Sequence, residues 1–145
     1  MVKLTHKNVQ YVDFYGDHIL SYSFDISCND TRVGDIRLRI GNTEGIYYSG
    51  HIGFAVDEAH RGKGYAVQAC RLLTPIARHH GMTKLIISND DGNLASYRVC
   101  EKLGAKLVCK AELPDWHDAY KQGHRYKNIF EWDLMENGNQ QSYAK

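Results

Sequence analysis

The sequence predicts a single domain of the α/β (α+β) class, a mixed and mostly antiparallel sheet with helices packed on it, and three observations carry that expectation. Residues up to about 57 combine alternating polarity with β-branched and aromatic composition, the period-two signature of half-buried strands. From Tyr65 the apolar positions switch to helical spacing. Beyond that point short apolar runs and helical segments take turns, the order expected of a sheet that carries helices on its faces. At 145 residues the chain suits one core. The expected domain covers 1–134, with a polar tail at 135–145 expected to fray.

Each element follows from its own pattern. Val9 to Tyr15 gives a weak strand signal, and HILSYSFDIS (18–27) a stronger one. RVGDIRLRI (32–40) places Val33, Ile36, Leu38 and Ile40 mostly on one face, and GIYYSGHIGFAVD (45–57) reads as a further strand. The separators Cys28-Asn29-Asp30 and Gly41-Asn42-Thr43 are turn-like, so these strands form an antiparallel meander. Ala66, Ala69, Cys70, Leu73, Ile76 and Ala77 define one helix from Tyr65 to His80, stopped by Gly81. Pro75 is an internal objection, since it removes the amide bond to Arg71 and should kink or break that helix. KLIISN (84–89) reads as a strand covered on both sides, and Asn93 to Leu103 as a helix stopped by Gly104. AKLVCK (105–110) and YKNIFEWDL (126–134) close the sheet.

Composition excludes several function classes. A net charge of +1 offers no bulk attraction to nucleic acid or to an anionic membrane. No stretch approaches eighteen continuous apolar residues, and Met1 to His6 lacks the apolar core of a signal peptide. A cytoplasmic protein is the expectation. Cys28, Cys70, Cys100 and Cys109 lie far apart with no C-x-x-C pair, so no metal is expected.

The informative stretch runs from Phe54 through Asp57, Arg61, Gly62, Lys63 and Gly64 to Tyr65 and Ala66. A strand ends, a loop with two glycines and two cations follows, and a helix begins. Free amides and the positive end of a helix dipole then converge on one point, a ready site for a phosphate or pyrophosphate. Gly62 and Gly64 let the backbone approach the anion, and Arg61 and Lys63 add charge-assisted contacts. No Lys-Ser/Thr follows the last glycine, so this is not a Walker loop.

Arg61-x-x-Gly64-x-Ala66, with Val56 five residues ahead, resembles the acetyl-CoA signature of the GNAT N-acetyltransferase superfamily. Asn93-Leu94-Ala95-Ser96 followed by Glu101-Lys102-Leu103-Gly104-Ala105 resembles its second motif, at the right order and spacing. The resemblance implies a GNAT fold with a central β-loop-α acetyl-CoA site, and acetyl-CoA as co-substrate. It implies that Phe54 and Val56 pair with the pantetheine, that Arg61 to Ala66 hold the pyrophosphate, and that Asn93 and Ser96 contact the cofactor. It also implies transfer of acetyl to a primary amine of a small molecule or a protein N-terminus.

Two departures from the family pattern leave the proton chemistry open. The position seven residues after Asn93, a tyrosine in many members, is Cys100. The positions for a central-strand glutamate are Tyr48 and Gly50. His51, Glu44 and Asp90 are then the candidate bases in sequence reach, and Cys100 the candidate acid; His51 and Cys100 are taken as the catalytic pair. No helix pair is visible between the first strands. The acceptor is instead expected on LPDWHDAYKQGHR (113–125), through Trp116, Asp118 and Tyr120. A non-catalytic acyl-CoA-binding module stays open as the alternative, as does a nucleotide or nucleic-acid binder using Arg61 and Lys63, which the near-neutral charge disfavours. The oligomeric state is open, a homodimer included.

Overall fold

The computed structural model of the protein describes residues 1–135. It begins with three long strands, β1 (Val2–Phe14), β2 (Asp17–Cys28) and β3 (Thr31–Ile40), joined by two-residue turns. Both turns put two consecutive residues at positive φ: Tyr15 and Gly16 at 52° and 86°, Asn29 and Asp30 at 51° and 66°. That geometry matches the twist of a hairpin, and Asn, Asp and Gly tolerate it. Tyr15 does not: a bulky side chain in the left-handed region costs roughly 1–2 kcal/mol. β1 is therefore far longer than its weak sequence signal suggested.

The expected strand at 45–57 divides. Its first part is helix α1 (Glu44–Ser49), and only β4 (Ile52–Val56) is extended. Thr43 decides this, because its side chain accepts the Ile46 N–H and caps the helix. After β4 comes a 3-10 turn at Glu58–His60, then α2 (Tyr65–Leu72) and α3 (Thr74–His79). The single helix expected over 65–80 is thus broken at Leu73, with Pro75 in the first turn of α3, where its missing N–H does no harm. The Thr74 hydroxyl donates to the Arg71 carbonyl at 2.9 Å, occupying the acceptor that a non-proline residue 75 would have used. β5 (Lys84–Asp90), α4 (Leu94–Leu103), β6 (Lys106–Glu112), α5 (Asp118–Lys121) and β7 (Tyr126–Asp133) complete the chain. Residues 136–145, most of the expected tail, lie outside the described part.

Two sheets result, an antiparallel β1-β2-β3-β4 sheet and an antiparallel β5-β7-β6 sheet. One face of the first sheet carries Phe24, Ile26, Ile36 and Leu38 against Val67, Cys70 and Leu73 of the helices, and this core continues into Leu85, Ile87, Phe130 and Trp132 of the second. On the opposite face α1 covers one end: a Cβ on Gly45 would stand 2.8 Å from the Tyr15 ring. The rest of that face is polar and open. Among the described residues no helix is long and apolar enough to cross a membrane, and no cluster of His, Cys, Asp and Glu could hold a metal ion.

Candidate functional site

β4 and β5 are edge strands of different sheets, and His51 joins them. Its N–H donates to the Ile86 carbonyl at 2.7 Å and its carbonyl accepts from Arg39 N–H at 2.7 Å. Its ring Nδ1 accepts the Ile86 N–H at 2.8 Å, which leaves the proton on Nε2, donated to the Gly41 carbonyl at 2.8 Å. Burial pushes the ring below the usual histidine pKa. Gly50, just before it, permits the close approach: a Cβ there would sit 3.0 Å from Ser88 N. Beyond His51, among the described residues, no strand pairs with β4 on this side, which leaves a gap between the edges of the two sheets.

The ladder geometry says what faces that gap. His51 bonds to Arg39 and Asp57 N–H to the Val33 carbonyl, and residues 52–56 pair with 38–34 in register. In an antiparallel pair the hydrogen-bonding residues alternate, so 51, 53, 55 and 57 face β3. The backbone groups of Ile52, Phe54 and Val56 therefore turn to the gap. The Val56 carbonyl is already taken by Arg61 Nε at 2.9 Å. The Val56 N–H and both groups of Phe54 remain.

The loop at the end of β4 has the geometry an anion requires. Gly62 and Gly64 sit at φ 81° and 77°, and Gly64 caps α2 with no side-chain bond at that end. The first helix bond is donated by Gln68 to the Gly64 carbonyl, so the amides of Tyr65, Ala66 and Val67 have no partner within the helix. A Cβ on either glycine would meet nothing within 4 Å; their role is conformation and open space. Arg61 clamps the loop through Val56, and Lys63 is exposed. The Tyr65 phenol is pushed up in pKa chiefly by its bond to the Cys28 thiol. α2 packs on α4, whose Asn93 side chain accepts the Ser96 N–H at 3.2 Å and caps it. Asn93 thus has a helix-capping role of its own, and Ser96 is half-buried beside it.

Neither expected catalytic side chain is disposed for proton transfer. Both ring nitrogens of His51 are committed to backbone partners, so the ring has no free lone pair. Cys100 is fully buried in the core. Its thiol accepts from Asn89 Nδ2 at 3.6 Å and is pushed up by burial to about 12. Glu44 is exposed on α1, and Asp90 is ion-paired with Lys127 at 3.1 Å.

The loop over 113–125 contributes more than its sequence showed, because it meets the strained hairpin turn. Trp116 and His117 pack on the Tyr15 ring at 5.3 and 5.0 Å, and Trp116 approaches Tyr48 at 6.0 Å. Asp118 N–H donates to the Tyr15 hydroxyl at 3.2 Å. His117 caps α5 through Nδ1 and meets Ser49 Oγ through Nε2 at 2.8 Å, next to Gly50. Tyr120 is drawn elsewhere, its face covered by the Arg125 guanidinium at 3.9 Å. Tyr15, Ser49 and Arg39 are the residues that sequence reasoning missed. A tyrosine directly before a turn glycine was the available signal for the first; nothing distinguished Arg39 from Arg32 and Arg37.

Comparison with known proteins agrees with the fold. The model of the acetyltransferase (GNAT) domain family matches residues 7–106, from within β1 to the start of β6. No curated protein sequence matches the chain. Among solved structures, one similar fold is the Salmonella typhimurium acetyltransferase that modifies the N-terminal serine of 50S ribosomal protein L7/L12. It is 19% identical with TM-score 0.61, over 78% of this chain and 63% of that one. Another is the ribosomal-protein-S5-alanine acetyltransferase of Vibrio fischeri, 15% identical with TM-score 0.61, over 79% and 62%. A third is the YncA protein of Salmonella typhimurium with its cofactor acetyl-CoA, 18% identical with TM-score 0.58, over 79% and 65%. The chain therefore spans less than two thirds of the length of each of these three. With a family match over most of its strands, its glycine loop and its α4 cap, the chain belongs to the GNAT acetyltransferase family.

Proposed function

We propose that the chain is an acetyl-CoA-dependent N-acetyltransferase that delivers the acetyl group directly to a primary amine. The observation that carries this is the β4–loop–α2 unit: an unpaired strand edge leading into unpartnered amides at a helix N-terminus. The pyrophosphate would rest on the amides of Gly62 to Val67, with Lys63 free to add charge. The pantetheine would lie along β4 as an added strand, using Phe54 and the Val56 N–H. Ser96 and the capped start of α4 would border the other side. No metal enters this chemistry.

The reaction needs little from the side chains. The amine nitrogen attacks the thioester carbonyl, the C–N bond forms, the C–S bond breaks, and coenzyme A leaves as thiolate. The proton shed by the amine balances the thiolate, by way of water. The gap-facing amide of Phe54 would stabilise the oxyanion, and fixing both reactants supplies much of the rate. Cys100 and His51 drop out of this scheme as acid and base.

The acceptor reaches the gap past Tyr15, Tyr48, Trp116 and Asp118. One of the similar folds modifies an N-terminal serine of a ribosomal protein and another is a ribosomal-protein-S5-alanine acetyltransferase, which favours a peptide acceptor over a small amine. A purely acyl-CoA-binding role is the second reading, favoured by the lack of a carboxylate at residues 48 and 50.

Thermal unfolding with and without ligand tests the cofactor. Acetyl-CoA at a hundred times its Kd should add about 2.7 kcal/mol of stability, and no shift at millimolar acetyl-CoA overturns the reading. Thiol release from acetyl-CoA with a peptide and amine panel separates an enzyme from a binding module.

A further inference from the structure

The open face of the first sheet holds a hollow of about 440 Å³, lined by Arg39, Arg37, Lys7 and Ser21 and also by the carboxylates of Asp35 and the exposed Asp13. The charges on this face are not evenly served. Asp25 is paired with Arg32 at 3.0 Å and with Lys7 at 3.9 Å. Asp35 is paired with Arg32 at 3.2 Å and with Arg37 at 3.7 Å. Arg39 forms no ion pair among the described residues. Its guanidinium lies over the Phe14 ring at 4.6 Å and donates one bond, to the Gly50 carbonyl at 3.0 Å. Burial and repulsion from Arg37 push it down to about 10, so it remains a cation at neutral pH.

A half-buried cation without a counter-ion is costly to keep, and this one is aimed at a place of consequence. A Cβ on Gly53 would stand 3.4 Å from the Arg39 guanidinium. Gly53 precedes Phe54, whose backbone faces the gap. The hollow and the thioester edge are therefore separated by a single strand. Phe14, between the hollow and Tyr15, joins it to the aromatic cluster around Trp116.

We infer that Arg39 receives a carboxylate of the acceptor, so that the amine acetylated here carries an anionic carboxyl group near its reacting nitrogen. This rests on the acetyl-transfer reading. The remaining guanidinium N–H groups can grip both carboxylate oxygens, and the buried Ser21 hydroxyl, paired across from Arg39 in the sheet, adds a donor. The carboxylate has two sources: the α-carboxyl of a free amino acid, or an acidic side chain beside a peptide N-terminus.

Two matched pairs test this: glycine against glycinamide, and Gly-Glu-amide against Gly-Gln-amide. Each is titrated calorimetrically into the protein with coenzyme A present, and acetyl-CoA binding is measured separately. In at least one pair the carboxylate member should bind at least about tenfold tighter, and which pair identifies the source. Arg39→Gln should reduce that preference to within twofold and leave acetyl-CoA binding unchanged. Equal binding within both pairs in the wild-type protein overturns the inference, as does a preference that survives Arg39→Gln. Equal binding in the wild-type protein overturns the inference even if the variant does not fold. Loss of acetyl-CoA binding in the wild-type protein overturns the acetyl-transfer reading instead, a result the carboxylate titrations do not mimic.

Discussion

His51 shows how one side chain can be read two ways until its partners are known. Its four hydrogen bonds join the two sheets, and every one ends on backbone. His51→Ala would leave the Ile86 N–H and the Gly41 carbonyl unpaired in a buried site, and should cost about 4 kcal/mol of stability. The pH dependence has a definite sign. The folded ring is held below its ordinary value of 6.5 while the unfolded ring is not, so below about pH 6.5 the unfolded chain binds more protons. The contribution of the ring is fully present above that pH and fades as pH falls through the lowered folded value. Urea unfolding of both proteins at pH 7.5 and 5.5 checks this. The gap between wild type and variant should narrow at the lower pH, and a constant gap would mean that the ring is not held neutral. Cys100 carries the same lesson in its simpler form, a motif position filled by a small core residue.

The element that matters most is the β4–loop–α2 unit, and it was legible for a physical reason. A strand end, paired glycines and a helix start are local features, and their chemistry follows from backbone geometry alone. Gly64→Asp should expose that dependence. The position at φ 77° would cost the aspartate roughly 1 kcal/mol, and open space around it accommodates the side chain. Its carboxylate would stand at the proposed pyrophosphate site. Calorimetry should find acetyl-CoA affinity reduced at least about a hundredfold with the melting temperature only slightly lower; wild-type affinity would reduce the loop to a turn. Other elements were read less well, each through a competing local signal. Tyr47 and Tyr48 favour a strand by composition, but the Thr43 cap turned their segment into α1. Pro75 was read as a kink or a break, and the neighbouring Thr74 hydroxyl makes the break an orderly one. β1 was underestimated because most of its residues are exposed on an edge strand, so burial left little pattern in its sequence.

At the scale of the whole molecule, the fold class and the family were readable, while the contacts around Tyr15 and His117 were not. The proposed acceptor side is made by residues far apart in sequence, Tyr15 with Asp118 and Ser49 with His117. No periodicity records such meetings. The first of them depends on the two-residue β1–β2 turn, which carries Tyr15 to the loop between β6 and β7.

The strand order of the second sheet has a consequence in time. β1 to β4 pair only with sequence neighbours, so the first sheet can close loops of short contour as soon as its residues exist. In the β5-β7-β6 sheet the last strand stands in the middle, and β5 and β6 have nothing to pair with until it arrives. Because non-local pairing is slow, refolding should run in two stages, with the meander ahead of the far sheet. Pulse-labelled hydrogen exchange should then protect amides of Phe24 and Ile36 before those of Ile87 and Ile129. Simultaneous protection would mean that the two sheets condense as one. On a ribosome emitting residues one after another, the chain would pass through a state with a finished glycine loop on the first sheet, the second sheet waiting for residue 133.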